Sequence, residues 1–381
     1  MNATHFGAGN IGRGFVGEIL FLNGFTIDFI DVNDDLIEAI NEKGEYIIEL
    51  AAKERAQKRV NNIRGINNHK EPERVIQSIL KADIVTTAIG PKTLPLIAKL
   101  IAKGIQKRRK TGVERPLDII ACENMIGGST FLYNEVTKFL HEEDLIYVDQ
   151  YIGFPNAAVD RIIPVQANND LLTVQVEPYK EWIIAKKECK AKNIHLTGVD
   201  YVARLDPYIE RKLFSVNTGH ASVAYFGASL KYDTIQHAMK DREVLKQLKA
   251  VLEETSCLLI KKWDFDRREH ETYIKTIIQR FENPYISDDI QRVIRTPIRK
   301  LGYNERFIAP IRQLAAYNLP YNSLVNIVAI ILANRNSEDN ESIELQELLK
   351  RNKIEDVVRE VMNLQNQKLI SEIKDAYLQL I

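Results

Sequence analysis

Along the first half of the chain, short apolar runs alternate with stretches whose apolar positions recur at helical spacing, the pattern of parallel strand–helix–strand units. Runs at 3–6, 26–32, 84–88, 118–122 and 146–152 read as strands, and 11–22, 34–42, 72–81, 92–103 and 129–140 between them as helices. Segments 171–176 and 182–185 are expected to extend the same sheet at its far edge. From about Pro207 the strand signal stops, and amphipathic stretches take over at 208–229, 242–262, 268–281, 322–333, 343–350 and 354–380. Helix breaks are expected at Asn283-Pro284, Thr296-Pro297, Ala309-Pro310 and Leu319-Pro320, because a residue before proline is driven out of the helical region. The expected fold is α/β: an N-terminal Rossmann-type doubly wound parallel sheet over 1–195, followed by a mainly α-helical domain over 196–381.

Composition narrows this picture without changing it. At 381 residues the chain exceeds one ordinary core, so two domains are expected. Lys plus Arg and Asp plus Glu are equal at 52 each, which leaves no overall field to draw the protein to nucleic acid or an anionic membrane. The longest late apolar run, 324–333, is far short of the roughly 20 residues that cross a bilayer and reads as a buried helix. Cys122, Cys189 and Cys257 are widely spaced, form no metal half-site, and suit reduced thiols in a cytoplasmic protein. The chain opens directly on a nucleotide-binding turn, which argues against a leader segment and so against export.

That turn is Gly7-Ala8-Gly9-Asn10-Ile11-Gly12, a GxGxxG with a strand before it and an amphipathic helix after it. The first glycine permits the tight turn, the second lets a pyrophosphate approach the backbone, and the third allows close helix–strand packing, while the helix start offers free N–H groups to phosphate. Asp31 lies at the end of the second strand, about twenty residues further on, where an acid accepts the adenosine ribose hydroxyls and repels a 2′-phosphate. Val32 and Asn33 supply no compensating cation, so the expected cofactor is NAD. Thr87 and Ala88, after a later strand, are expected to line the cofactor crevice.

A Rossmann domain leaves the substrate open. The informative run is Lys212-Leu213-Phe214-Ser215-Val216-Asn217-Thr218-Gly219-His220. On an α-helix, Asn217 and His220 lie about 140° and 80° around from Lys212, so the three head groups can converge on one ligand. Gly219 weakens the helix unless something approaches the backbone there. Removing hydride from an alcohol needs a base for the hydroxyl proton, a role open to a desolvated lysine, and donors for the developing carbonyl oxygen, a role open to Asn217 and to Asn124 just past a central strand. His220 is placed to hold the alcohol or orient the lysine. Each residue also has a plainer reading, as a surface charge, a cap or a core side chain.

These residues, together with Gly7 to Phe15, Ala121-Cys122-Glu123-Asn124, Val159-Asp160-Arg161 and Arg280 to Pro284, resemble the polyol-specific long-chain dehydrogenases of the mannitol dehydrogenase family, in order along almost the whole chain. The resemblance implies a metal-independent NAD enzyme acting on a small-molecule polyol phosphate, with Lys212 as acid/base, Asn124 and Asn217 around the reacting oxygen, and His220 in contact with substrate. It also implies that Asp160 lies at the substrate pocket, where sequence alone suggests an Asp160-Arg161 ion pair, and that Arg292 and Lys300 contact substrate. Arg292 and Lys300 belong to a basic cluster with Arg295 and Arg299 that suits a phosphate. Phe154-Pro155-Asn156 looks more like members that use unphosphorylated mannitol; a mannitol 2-dehydrogenase or hexuronate reductase of the same family is the alternative within enzymes, and an inactive nucleotide-sensing protein is a reading from a different class. A monomer or homodimer is expected.

Overall fold

The computed structural model describes residues 1–164 and 170–381, and the chain divides into two compact units, Met1–Tyr208 and Ile209–Ile381. In the first unit, β1 (Asn2–Phe6), β2 (Thr26–Asp31), β3 (Glu45–Leu50), β4 (Gln57–Asn61), β5 (Ile63–Asn67), β6 (Ile84–Thr87), β7 (Leu117–Ala121) and β8 (Ile152–Gly153) follow in order. Six of these form a parallel sheet in the order β5-β2-β1-β6-β7-β8. The chain therefore winds outward from β1 in one direction and resumes at β6 in the other. The β1/β6 reversal opens a crevice at the strand ends, where this class of sheet binds ligands. β1, β6 and β7 are nearly continuous buried runs, as expected for strands covered on both faces.

α1 (Glu18–Leu22), α2 (Asp34–Lys43), α3 (Pro72–Lys81), α4 (Leu94–Lys110), α5 (Gly128–Thr137) and α6 (Glu142–Tyr151) accompany the sheet. Phe15, Phe29, Tyr46 and Trp182 fill one of its cores and Val85, Ile101, Leu117 and Val148 another. Segment 146–152, expected as a strand, is mostly the end of α6. Three acids follow the His141 cap, and the apolar run divides around the helix, with Tyr147 and Val148 buried and Ile146 exposed. The edge pairing of 63–67 with β2 has no counterpart in the sequence expectation, because Arg64 and Asn67 break the apolar run.

β9 (Ala157–Asp160), β10 (Thr173–Val176), β11 (Glu181–Ala185) and β12 (Asp200–Val202) lie outside the main sheet, so segments 171–176 and 182–185 do not extend it as expected. β10 pairs with β3 in a sheet ordered β10-β3-β4, and β11 lies between β9 and β12 in another. The far edge, β8, contributes only two paired residues and offers little backbone to extend. Pairing of β12 with β11 carries 200–202 into the first unit, and the division falls within α7 (Asp206–Arg211).

The second unit is helical: α8 (Thr218–Ser229), α9 (Ile235–Ala238), α10 (Arg242–Trp263), α11 (Arg267–Phe281), α12 (Ile290–Val293), α13 (Pro297–Lys300), α14 (Ile308–Ala316), α15 (Asn322–Ala333), α16 (Asn340–Arg351), α17 (Ile354–Met362) and α18 (Gln367–Leu378). α15 buries Leu324, Val325, Ile327, Val328, Ile331 and Leu332, and none of the described helices is long and apolar enough to cross a membrane. Two expectations need correction. Pro310 sits inside α14 as its third residue, where its missing N–H would have had no helical partner, so Ala309-Pro310 is not a break. The stretch 354–380 is two helices, separated where Asn363 takes a left-handed backbone (φ 50°).

Candidate active site

Gly7 leaves β1 with φ 105°, and a Cβ there would lie 2.6 Å from the Ala88 carbonyl oxygen. At Gly12 a Cβ would lie 1.8 Å from the Gly7 oxygen, so the helix can approach the strand only if this residue has no side chain. Gly9 is different: a Cβ there would meet nothing within 4 Å, so no protein atom demands glycine. Open space beside the first N–H groups of a helix is what a pyrophosphate requires, and the turn fits a dinucleotide on that ground. Ala8 is buried, while Asn10 and Ile11 are exposed. The Asp31 carboxylate accepts the Ala8 N–H at 2.7 Å with one oxygen and the Val32 and Asn33 N–H groups with the other, at 2.8 and 3.1 Å. The cap of α2 is Asn33, which accepts from Leu36, so Asp31 is free of that duty.

After the glycine turn the helix takes a π-helical course over Gly12–Gly17 before α1. Two carbonyls of this stretch are served from outside it: Tyr46 donates its hydroxyl to the Arg13 oxygen at 2.7 Å, and Arg161 donates to the Gly14 oxygen at 2.7 Å. Arg161 also pairs with the buried Glu18 and donates twice to the Glu177 carbonyl. It is therefore the partner of Glu18, not of Asp160 as the sequence suggested. Burial would raise the Glu18 carboxyl, but the Arg161 charge and hydrogen bonds from Lys58, Arg161 and Lys180 outweigh it and hold the group at about 2. Asp160 is buried at the end of β9.

At the ends of β6 and β7, Thr87 is fully buried and donates its hydroxyl to both Glu123 oxygens at 2.8 Å, so its side chain supports the crevice from behind while Ala88 is partly open. Glu123 also accepts the Ile89 N–H, and burial raises its carboxyl in spite of these bonds. Asn124 follows and is exposed. The Asn156 side chain donates to Thr130 and Glu188 and accepts the Thr130 N–H, and Pro155 accepts from Ser129. The Phe154-Pro155-Asn156 run thus has a structural reason independent of substrate.

In the helical unit, Lys212–Asn217 is a second π-helical stretch, set between α7 and α8. The wider turn, with bonds from i to i+5, brings Asn217 closer beneath Lys212 than the about 140° of an α-helix. The Thr218 N–H bonds to the Leu213 carbonyl, five residues back, and its hydroxyl adds bonds to the Leu213 and Arg306 carbonyls at 2.9 and 2.7 Å. Side chains approach the backbone at Gly219, as its place in a helix suggested: a Cβ there would lie 3.2 to 3.4 Å from Leu248, Leu252 and Phe281.

His220 is held by a residue the sequence reading missed. Its Nε2 lies 2.7 Å from Asp288 Oδ2, and Arg292 donates to the other Asp288 oxygen at 2.5 Å. Burial opposes the Asp288 charge, but the bonds and charges of His220 and Arg292 leave its carboxyl below the usual range. The only prior signal was position, an acid four residues before Arg292. The Arg292 side chain is 53% exposed, whereas Lys300 is buried and donates to the Arg295 carbonyl. Burial first, then the charges of Arg306 and Arg299, push Lys300 down to about 7. Between the two basic residues Thr296 adopts a left-handed backbone (φ 56°), rare for a β-branched residue, and Asp339 accepts its N–H. Among the described residues no group of three or more His, Cys, Asp or Glu is placed to hold a metal ion.

Family profiles for the mannitol dehydrogenase Rossmann domain and the mannitol dehydrogenase C-terminal domain match residues 1–198 and 204–381. The chain belongs to the mannitol dehydrogenase family. Relatives within this mannitol dehydrogenase family include the mannitol-1-phosphate 5-dehydrogenase of Enterococcus faecalis, 56% identical over 374 residues, which are 98% of this chain and 97% of that protein. The protein of the same name from Streptococcus pneumoniae is 54% identical over 372 residues, 98% of each. Among solved structures, a Pseudomonas fluorescens mannitol 2-dehydrogenase in ternary complex with NAD and D-mannitol matches with a TM-score of 0.78 at 16% identity, over 100% of this chain and 92% of that one. A D-sorbitol dehydrogenase in substrate-free form matches with a TM-score of 0.82, also at 16% identity, over 99% and 92%. At that identity the likeness concerns the fold alone. The resemblance drawn from the motifs, and the Rossmann-plus-helical mannitol dehydrogenase fold, are borne out.

Proposed function

We propose that the chain is an NAD-dependent mannitol-1-phosphate 5-dehydrogenase that interconverts D-mannitol 1-phosphate and D-fructose 6-phosphate without a metal ion. The observation that carries this reading is the near-complete, 54–56% identical match to proteins of that name. Bound NAD supplies the hydride acceptor. Lys212 takes the hydroxyl proton as the carbon loses its hydride, and returns a proton to the carbonyl oxygen in the reverse direction. Asn217 and Asn124 donate hydrogen bonds to the oxygen as it changes from hydroxyl to carbonyl. His220, anchored by Asp288, orients the substrate, and Asp160 contributes a further polar contact. Gly7 to Gly12 hold the pyrophosphate, and Asp31 faces the adenosine ribose.

For the substrate phosphate, Arg292 is favoured over Lys300. A guanidinium keeps its charge at every working pH and offers donors beyond those used by Asp288, whereas the Lys300 ammonium is buried, which disfavours its charge, and already donates inward. The deciding assay follows NAD reduction with mannitol 1-phosphate, mannitol, sorbitol 6-phosphate and arabinitol side by side, with and without a chelator. Mannitol 1-phosphate should be oxidised far better than the others, and the chelator should make no difference. Equal efficiency with mannitol would move the reading to an enzyme of unphosphorylated polyols, and no turnover with any polyol would favour a nucleotide sensor.

A further inference from the structure

Two contiguous grooves lie in the helical unit between α14, the loop after α17 and the start of α18. One, of about 700 Å3, is lined by Tyr303, Arg312, Gln313, Asn363, Gln365 and Leu369, among others. The second, of about 610 Å3, shares Arg312 and Leu369 and adds Tyr321 and Lys368. Each volume lies within the range of small-molecule sites, about 300–1,000 Å3. The lining residues include two cations and several amides; Lys368 faces the Glu372 carboxylate at 3.8 Å, to which Tyr321 also donates at 2.9 Å, so Arg312 is the cation left without an acid.

Arg312 is the unusual member. Its guanidinium carbon lies 3.2 Å from the centre of the Tyr303 ring, and its Nε is buried with no hydrogen-bond partner among the described residues. Burial lowers its pKa, and the neighbour that acts against this is Tyr303, not an acid. A planar guanidinium stacked on an aromatic face and left without a carboxylate is pre-set for an anion with fork geometry. The α18 N-terminus is not the reason for the site, since Asn366 already caps it by accepting the Lys368 and Leu369 N–H groups. The groove also lies against the reverse side of the catalytic helix. Gln313 accepts from Lys262 at 2.7 Å, Lys262 donates to Glu210 at 2.8 Å, and Glu210 projects about 200° around the helix from Lys212.

We propose that this groove binds a small phosphate monoester of a sugar or polyol, separately from the reaction it catalyses. Arg312 takes the phosphate, the Asn363 and Gln365 amides take hydroxyls, and Leu369 supports the carbon chain. A guanidinium fork with no acid paired to it among the described residues suits the oxygens of a phosphate. The test is a phosphorus NMR line-broadening titration with inorganic phosphate and with glucose 6-phosphate, using the full chain as wild type, Arg312→Met, Gln365→Glu and Arg292→Ala. Arg312→Met should weaken one binding component by about tenfold or more, the effect of losing a charge-assisted contact. Gln365→Glu, an exposed change that leaves Arg312 packing intact, should weaken the same component by repulsion, which keeps the test decisive if Arg312→Met does not fold. Arg292→Ala should leave that component in place whether or not it removes another, so failure of the phosphate contact in the proposed reaction would show separately. Binding that is unchanged in folded Arg312→Met and in Gln365→Glu, or that disappears with Arg292→Ala alone, would overturn the site.

Discussion

Among the described residues each unit contains one six-residue π-helical stretch, Gly12–Gly17 in the nucleotide-type unit and Lys212–Asn217 in the helical one, and the two put the same backbone deviation to different uses. The first is buried throughout and built on glycine. A Cβ at Gly12, Gly14 or Gly17 would lie 1.8, 2.5 or 2.7 Å from the Gly7 oxygen, Val174 or Tyr46, respectively. Its stray carbonyls are satisfied by side chains from elsewhere in the unit, Tyr46 and Arg161. The second keeps Lys212 and Asn217 partly open and is steadied by its own next residue, Thr218. A widened turn thus serves close packing in one place and side-chain alignment in the other. π-Turns gather at functional sites because the irregular bonding survives only where neighbours compensate for it.

Substitutions can separate the two uses. The largest effect is expected for Gly12→Ala, because a methyl group 1.8 Å from a backbone oxygen cannot be relieved by a rotamer change. NAD binding measured by fluorescence should be abolished, and near-normal affinity would refute the packing role. Lys212→Ala should lower turnover by about 10²- to 10⁴-fold, with NAD binding and thermal stability nearly unchanged. If stability fell as much as activity, the second turn would be another packing device and the contrast would collapse.

Arg161→Met comes next. It removes the partner of a buried carboxylate, a change that typically costs about 3–5 kcal/mol, here toward the lower end because Lys58 and Lys180 still reach Glu18. Chemical denaturation should register the loss. Glu18 is held at about 2, below an ordinary glutamate, so its stabilising contribution is complete above roughly pH 4.5 and is lost as pH falls from there toward 2. In Arg161→Met the acid unfolding transition should move to higher pH. Thr218→Val, which removes two hydroxyl bonds but keeps the backbone, should cost about 1–2 kcal/mol and disturb turnover only modestly.

The glycine turn, the place of Asp31 at the end of the second strand and the helical character of the Lys212–His220 run were legible in the sequence because each is a local pattern. The elements that were not legible depend on partners far along the chain. Segment 45–50 pairs with 173–176, and no local alternation distinguishes that sheet from an extension of the main one. Arg161 beside Asp160 looked like a neighbouring ion pair, yet its carboxylate is Glu18, 143 positions away. Asp288 stood in a polar stretch typical of a loop, and only folding brings it to His220. Both π-turns also escaped, since they are fixed by Tyr46, Arg161 and Thr218 and not by the apolar period, which still reads as helix.

Asp31 has a consequence for how cofactor choice in this protein could be altered. The carboxylate that would keep out a 2′-phosphate also clasps the Ala8 N–H, inside the glycine turn itself. A change to serine shortens the side chain and removes one of the two acceptor oxygens, so the gate would be opened by loosening the hinge on which it hangs. A redesign toward NADP therefore needs two moves in a set order. A new acceptor for Ala8 must come first and a cation near Val32 or Asn33 second, because the reverse order passes through a protein that holds neither dinucleotide well.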